Sequence, residues 1–360
     1  MNTGPLLRIE DLRISFRTAH GPVLAVNRVS FSLHDNEVLA IVGESGSGKT
    51  LTGLSVLGIE PPGARVTGQI WFRDEELRGA SPRRLRNIRG ASIAMIFQEP
   101  MTALNPSMTV GRQVAEVLRR HQGLSAQDAR SRVLELFDLV RLPSPDRYLR
   151  SYPHQLSGGM RQRVMIAMAV ACGPALLIAD EPTTALDPTI ETQILSLLND
   201  LRTTLGMSVL LITHNLGVVS RMADRVIVMY AGHVLEQAPT AELLAAPAHP
   251  YTTGLLGAVP QPGSNADTRR LTPIAGQVPL LRAEPTHCVF SPRCAHAEPR
   301  CLTAQPALRQ VPPGQADIIA DNAHQAACVL DRIPGPAYPT PATAPGAPAP
   351  GAQAPGAQAS

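Results

Sequence analysis

The sequence predicts an α/β fold in which helices cover a parallel or mixed sheet. Three apolar runs, residues 38–42, 175–179 and 209–213, carry that expectation, because each is uninterrupted and each stops at residues capable of chemistry. A strand buried on both faces reads as a continuous apolar run, whereas a half-exposed strand alternates. Ligands in such folds bind beyond the carboxyl ends of the strands. Here the first run leads into a glycine-rich loop, the second into Asp180-Glu181 and the third into His214.

With 360 residues, 44% apolar and 17% charged, the chain can bury one substantial core and a small second domain. The uncharged, largely apolar stretch 164–179 is interrupted by Gly173-Pro174. That stretch falls short of the ~18 to 20 apolar residues of a spanning helix. Residues 1–10 lack the basic start, apolar run and cleavage site of an export signal, so a cytoplasmic location is expected. The net charge of +3 comes with no basic run longer than Arg83-Arg84 and Arg119-Arg120, a weak footprint for nucleic acid.

Of the 32 basic residues, Lys49 is the only lysine. A lysine is a compact point charge on a thin stem that reaches a phosphate between backbone amides, where the planar fork of arginine does not fit. Lys49 lies in Gly43-Glu44-Ser45-Gly46-Ser47-Gly48-Lys49-Thr50, which fits G-x-x-x-x-G-K-[ST] at every fixed position. Its glycines let the backbone turn tightly and expose amides, and the next helix begins with the positive end of its dipole at the phosphates. Lys49 is expected on the β- and γ-phosphates, and the Thr50 hydroxyl on Mg²⁺. An incidental glycine-rich turn is the bland alternative, and the strand-loop-helix context argues against it.

Asp180 and Glu181 close the second run. Side chains alternate at a strand exit, so neighbouring acids can take different tasks: Asp180 toward Mg²⁺ and Glu181 toward an attacking water. Upstream, residues 156–163, with Ser157-Gly158-Gly159, lead into the helix-like stretch 164–170, a second anion site made of a hydroxyl and an amide at a helix start.

These motifs together resemble the ATP-binding cassette family of ATPases closely. The resemblance implies a phosphate-loop NTPase core with a helical subdomain. It also implies that Ser157, Gly158 and Gly159 close over the γ-phosphate held by an opposing subunit. Gln98, after Ile96-Phe97, matches the glutamine joining the metal site to the helical subdomain. Asp187 matches the loop that crosses the dimer interface, and it also reads as a cap for a helix beginning near Pro188. His214 matches the switch histidine on the γ-phosphate. Phe16 is the candidate aromatic for stacking on adenine, with a core role as its alternative. The implied reaction is phosphoryl transfer from ATP to water with Mg²⁺ held by Thr50, Gln98 and Asp180.

Within that family, Gln98-Glu99-Pro100-Met101-Thr102-Ala103-Leu104-Asn105-Pro106, Ser151-Tyr152-Pro153-His154 and the His249-Pro250-Tyr251 motif look like the branch serving dipeptide and oligopeptide importers. That likeness implies a second, related cassette subunit, two membrane-spanning permease subunits, an extracytoplasmic solute-binding protein, and a peripheral place on the cytoplasmic face of the bacterial inner membrane. Nickel, opine or antimicrobial-peptide import would leave the same signature. A soluble cassette acting on DNA or ribosomes is disfavoured, since long coiled coils and a second cassette are both missing. Residues 248–253 read locally as a turn and a short helix.

Four of five cysteines, Cys288, Cys294, Cys301 and Cys328, lie near the C-terminus. In a cytoplasmic protein such a cluster suggests a metal site before a disulfide framework. The peptide-importer likeness favours a [4Fe–4S] cluster; structural zinc and unligated thiols are the alternatives. Cys172 reads as a buried thiol. The expected organisation is a cassette over residues 1–260, with a helical subdomain over about 99–172, then a cysteine-containing domain over 261–332. The Pro/Ala/Gly-rich stretch 333–360 repeats Ala-Pro-Gly-Ala-Gln and is expected to be disordered.

Overall fold

The computed structural model describes residues 4–98, 103–184, 186–258, 274–311, 323–331 and 333. The stretch 334–360, expected to be disordered, lies outside the described residues.

Two sheets build the body. β1 (Leu7–Thr18), β2 (Gly21–Leu33), β4 (Ala64–Phe72) and β5 (Glu75–Glu76) form an antiparallel sheet in the order β2-β1-β4-β5. The main sheet has five parallel strands: β9 (Arg225–Tyr230), β3 (Val38–Val42), β8 (Ser208–Thr213), β7 (Leu176–Asp180) and β6 (Ile93–Ile96), in that order. β10 (His233–Pro239) adds antiparallel to β9. Two short strands from beyond residue 300, β12 (Gln325–Ala326) and β11 (Arg309–Gln310), continue the sheet past β10.

The three apolar runs form the parallel strands β3, β7 and β8, each buried at every position of the strand; Ala175 precedes β7 and is half-buried. Strand alternation divides their side chains between two cores. Val38, Ala40 and Val42 pack in a cluster that contains Val114 of α3 (Val110–Gln122), Phe137 of α4 (Ala126–Leu139) and Ile166 of α6 (Gly158–Val170). Leu39 and Ile41 pack instead with Leu12, Ile14 and Val26 of the antiparallel sheet and with Val56 of α1 (Lys49–Leu57). The main sheet is therefore sandwiched by helices on one face and by α1 and the second sheet on the other. Between β6 and β7 lie α3, α4, the short α5 (Pro145–Tyr148) and α6, helices whose contacts are mainly with one another. α2 (Pro82–Ile88) precedes β6. No helix among the described residues is long and apolar enough to cross a membrane.

Three helices connect the later strands. α7 (Pro188–Leu205) starts on Asp187, whose Oδ1 accepts the Thr189 and Ile190 N–H groups at 3.1 and 2.9 Å, and stops at Gly206 in the left-handed region. α8 (Leu216–Met222) joins β8 to β9, and α9 (Thr240–Ala245) follows β10. α10 (Pro250–Gly257) supplies the expected turn and short helix: His249 caps it by accepting the Tyr251 N–H on Nδ1 at 3.0 Å, and Pro250 fills the first turn.

Glu236 fastens the C-terminal region to β10. It is fully buried, yet its carboxylate accepts the N–H groups of Ala248 at 2.7 Å and His249 at 3.0 Å and meets His324 Nε2 at 2.7 Å. Removing it strands two buried polar groups, on His249 and His324, and the half-buried Ala248 N–H, each buried one worth about 1–3 kcal/mol when unsatisfied. Glu236→Ala is expected to lower unfolding free energy by about 3 kcal/mol or more, read from the midpoint of urea denaturation. An unchanged midpoint would contradict this assignment of the carboxylate.

Candidate active site

The site forms where β3, β7 and β8 end. Parallel pairing sets Val42 opposite Thr213, and Ile212 opposite Asp180, so the residues that follow emerge along one edge. Gly43 leaves β3 with φ +152°, and a Cβ there would stand 2.1 Å from the Met229 carbonyl oxygen. Gly48 has φ +97°, and its Cβ would meet the Ala25 oxygen at 2.6 Å. Both conformation and space therefore demand glycine. Ser45 and Gly46 face outward, and Ser47 is buried.

Lys49 opens α1 and folds back over this loop. Its Nζ donates to the carbonyls of Gly43 at 2.8 Å and Glu44 at 2.9 Å, with Ser47 Oγ at 3.4 Å. Burial lowers its pKa, and the charges of Glu181, Asp180 and Glu44 act the other way. An ammonium held at the rim of a loop of amides is the arrangement that receives an anionic phosphate.

Thr50 Oγ1 donates to Asp180 Oδ1 at 3.2 Å across 130 residues of sequence. Asp180 is buried, and that burial foremost pushes its pKa up to about 6; Glu181 adds to the rise, while Thr50 and Lys49 oppose it. A buried carboxylate held uphill of its ordinary range is satisfied by a cation, which fits Mg²⁺ with Thr50 beside it.

Glu181 turns the other way. Its backbone has φ +45°, a left-handed conformation that costs a non-glycine residue about 1 kcal/mol or more. Its N–H donates to the Ile212 oxygen at 2.8 Å. Its carboxylate accepts from Thr184 Oγ1 at 2.7 Å and Gln98 Nε2 at 3.2 Å, and meets His214 Nδ1 at 3.0 Å. Burial would raise its pKa; hydrogen bonds from Thr184 and His214, with the charges of His214 and Lys49, outweigh that and hold it below the ordinary range. Gln98, expected at the metal, is placed on Glu181. His214 is 62% exposed, so its imidazole remains accessible beside the loop edge.

Ser157 and Gly158 lie at the exposed start of α6, and Gly159 is half-buried against Ile190, where a Cβ would come to 2.9 Å. Ser157 Oγ accepts the Met160 N–H at 3.4 Å. Asp187 is exposed as well. Phe16 is half-buried on β1, between Val23 of β2 and Ala64 of β4.

Cys288, Cys294, Cys301 and Cys328 all line one small cavity, with His249, Pro250 and Phe290 in its wall. The Cys288 N–H donates to the Cys301 oxygen at 2.8 Å. Burial pushes the Cys288 thiol up to about 11 and raises those of Cys294 and Cys328. Among the described residues no group of three or more His, Cys, Asp or Glu side chains is arranged to hold a metal ion. Cys172 is half-exposed, where the sequence suggested full burial.

Sequence reasoning missed several participants. Thr184 sits in the Thr183-Thr184 pair beside Glu181 and carried no motif signal of its own. The Tyr251 hydroxyl accepts the Glu44 N–H at 2.9 Å, and Arg293 Nη1 meets the Glu44 carboxylate at 3.0 Å. The His-Pro-Tyr motif pointed to Tyr251 without saying what it touched; Arg293 gave no signal, lying 249 residues from its partner.

Fold and site together define a phosphate-loop nucleotide hydrolase. Two family models match the chain: ABC transporter over residues 26–184, and the C-terminal region of oligopeptide/dipeptide transporters over residues 235–301. The dipeptide transport ATP-binding protein DppD of Bacillus subtilis is 48% identical over 327 residues, covering 90% of this chain and 94% of that protein. The oligopeptide transport ATP-binding protein OppD of Salmonella typhimurium is 45% identical over 310 residues, covering 86% and 92%. A solved ATP-binding cassette, dimeric and in a post-hydrolysis state with ADP and Pi, superposes with a TM-score of 0.58 at 28% identity, covering 65% of this chain and 98% of that one. The chain belongs to the ABC transporter family, as one of its ATP-hydrolysing subunits.

Asp180 gives the site a pH signature. Protons and a cation compete for a carboxylate, so if Asp180 ligates Mg²⁺, protonation below about pH 6 would remove it as a ligand. Mg·ATP binding, measured by fluorescence titration from about pH 5 to 8, is expected to weaken by about tenfold per unit below that pKa. Asp180→Asn should flatten the profile; an equally steep profile in Asp180→Asn would assign the dependence elsewhere.

Proposed function

We propose that this chain energises the import of dipeptides and oligopeptides. The observation that carries the reading is a complete phosphate-loop site on a chain whose C-terminal region matches oligopeptide/dipeptide transporters. Likeness over about nine-tenths of its length to proteins named for dipeptide and oligopeptide transport supports it further.

The chemistry is transfer of the γ-phosphoryl group of ATP to water. Loop amides of residues 43–48 and Lys49 hold the phosphates, and Phe16 offers a half-buried face to adenine. Thr50 and Asp180 would hold Mg²⁺, with Gln98, hydrogen-bonded to Glu181, as the third candidate ligand; the ion would supply charge that neutralises the β- and γ-oxygens. Glu181, held ionised by its hydrogen bonds, orients the attacking water and accepts its proton. His214 steadies Glu181 and reaches the γ end. Ser157 and Gly158 are exposed, with Gly159 half-buried beside them, which suits this helix start to complete the site of a second, related cassette, with Asp187 at the same interface.

The same reading places the chain peripherally at the inner face of a bacterial cell membrane under two permease subunits, with an extracytoplasmic solute-binding protein delivering substrate and no nucleic acid involved. An apolar groove of about 280 Å³ lined by Phe97, Val117, Met165 and Met168 supports contact with a permease subunit. Phe97 is 42% exposed there, one residue before Gln98, so a partner seated in the groove would act on Glu181 through a single side chain.

The cysteine cavity is proposed to hold a [4Fe–4S] cluster, with zinc as the alternative. Four cysteines line one cavity and thiolate is the ligand class of both groups; to bind either, the four side chains would have to draw together from their present arrangement and lose their protons. Cys288, Cys294, Cys301 and Cys328 would be the ligands, and the group would cross-link the C-terminal segments. Iron, zinc and sulfide analysis of anaerobically purified protein is expected to give iron and sulfide in equal amounts. A folded protein free of metal would rule out both metals.

The transport reading is tested by uptake of labelled dipeptides and oligopeptides in cells whose own copy carries Lys49→Ala. Peptide uptake is expected to collapse while nickel uptake is unaffected. Normal peptide uptake would remove the peptide assignment and leave the ATPase in place.

A further inference from the structure

Two side chains reach the phosphate loop from the C-terminal part of the chain, and the hydrolytic steps above use neither. The fully buried Tyr251 takes the Glu44 backbone N–H on its hydroxyl at 2.9 Å. Arg293 sets Nη1 against both carboxylate oxygens of Glu44, at 3.1 and 3.0 Å, and against the Tyr230 hydroxyl at 3.3 Å. The rest of its fork is occupied as well: Nε donates to the Ala275 oxygen at 2.8 Å and Nη2 to the Ile274 oxygen at 3.1 Å. Its side chain is only 6% exposed.

The surroundings make this contact rigid. The rings of Tyr230, Tyr251 and Phe290 pack with centroids 4.8, 5.3 and 5.2 Å apart, and the Arg293 guanidinium lies 5.6 Å from the Tyr230 ring. Phe290 also walls the cysteine cavity, and Arg293 directly precedes Cys294. A planar fork with every arm bonded cannot follow a moving loop, so it holds the loop still.

Two physical consequences bear on nucleotide. A loop with left-handed backbone at Gly43, Gly46 and Gly48 is ordered only against a large loss of conformational freedom. Fixing Glu44 at both backbone and side chain supplies that order before ligand arrives, which strengthens binding. Glu44 is also an anion beside a site for a polyanion, and pairing it with Arg293 removes repulsion that would oppose the phosphates.

We infer that Arg293 and Tyr251 are positioning residues for the phosphate loop, and that through them the cysteine-bearing segment sets how tightly nucleotide binds. This rests on the reading of residues 43–50 as the ATP-binding loop. The two residues act through Glu44 and touch neither metal nor the water that attacks.

The test uses the purified full chain in four forms: unaltered, Arg293→Gln, Arg293→Lys and Tyr251→Phe, with Lys49→Ala as a non-binding control. ATP affinity, ATPase rate at saturating ATP, amide hydrogen exchange of the peptide spanning residues 43–50 and the nucleotide-free unfolding midpoint are measured. Arg293→Gln is expected to raise the Kd for ATP about tenfold, the loss of a buried charged hydrogen bond, while the saturated rate changes by less than about twofold. Tyr251→Phe, which deletes one oxygen, is expected to raise Kd about threefold, and both variants should speed exchange in the loop. Arg293→Lys should recover only part of the affinity, because an ammonium cannot reach Glu44 and both carbonyls in the same geometry. A Kd within about twofold of the unaltered chain in the folded Arg293→Gln and Tyr251→Phe variants would overturn the inference, whatever happens to the unfolding midpoint. Should Arg293→Gln fail to fold, Tyr251→Phe decides by the same measurements. An unaltered chain that binds ATP no better than Lys49→Ala would instead remove the reading of the loop, and this inference with it.

Discussion

The parallel pairing of β8 with both β3 and β7 fixes where everything else in the site stands. Val42 lies opposite Thr213 and Asp180 opposite Ile212, so Gly43, Glu181 and His214 all step off the sheet at one edge. The register is enforced by burial: each of these strands is covered on both faces, and a slip of one residue would exchange the two cores. Met229 at the end of β9 and Ala25 on β2 then press their carbonyls so close to Gly43 and Gly48 that the loop has one path.

On that frame sits a network of opposed charges. Lys49 is the single ammonium among Glu44, Asp180 and Glu181, and burial works against its charge while all three carboxylates support it. The two adjacent acids are driven apart by their surroundings: Asp180 is buried and raised, Glu181 is hydrogen-bonded and lowered. One buried carboxylate is therefore short of a cation and the other is held ionised, a difference made by environment between two chemically similar side chains.

The C-terminal region is joined to this frame in the middle of β10, at Glu236 and Gln237. Gln325 and Ala326 pair with its outer edge, and Glu236 within it holds the loop that leads to α10. His249 is buried, and that burial lowers its pKa to about 3, so it serves as a neutral helix cap whose Nδ1 can accept. The following Tyr251 is thereby aimed at the phosphate loop. Phe290, in the wall of the cysteine cavity, packs on Tyr251 and Tyr230, and Tyr251 in turn bonds Glu44 of the phosphate loop, a contact of the His-Pro-Tyr motif that its spacing alone did not reveal.

The sequence by itself determined the fold class, the phosphate loop and the place of the two adjacent acids at a strand end, because these depend on local pattern: uninterrupted apolar runs, glycines at fixed intervals and acids where a run stops. The same locality made the Asp187 cap and the helix at Pro188 legible. Only the tertiary structure decided that Gln98 rests on Glu181, that Thr184 completes the carboxylate's hydrogen bonds, and that Arg293 and Tyr251 brace Glu44. Apart from Thr184, these are pairings between residues 83 to 249 positions apart. Their geometry follows from how sheets and helices stack, and no period or spacing along the chain encodes it.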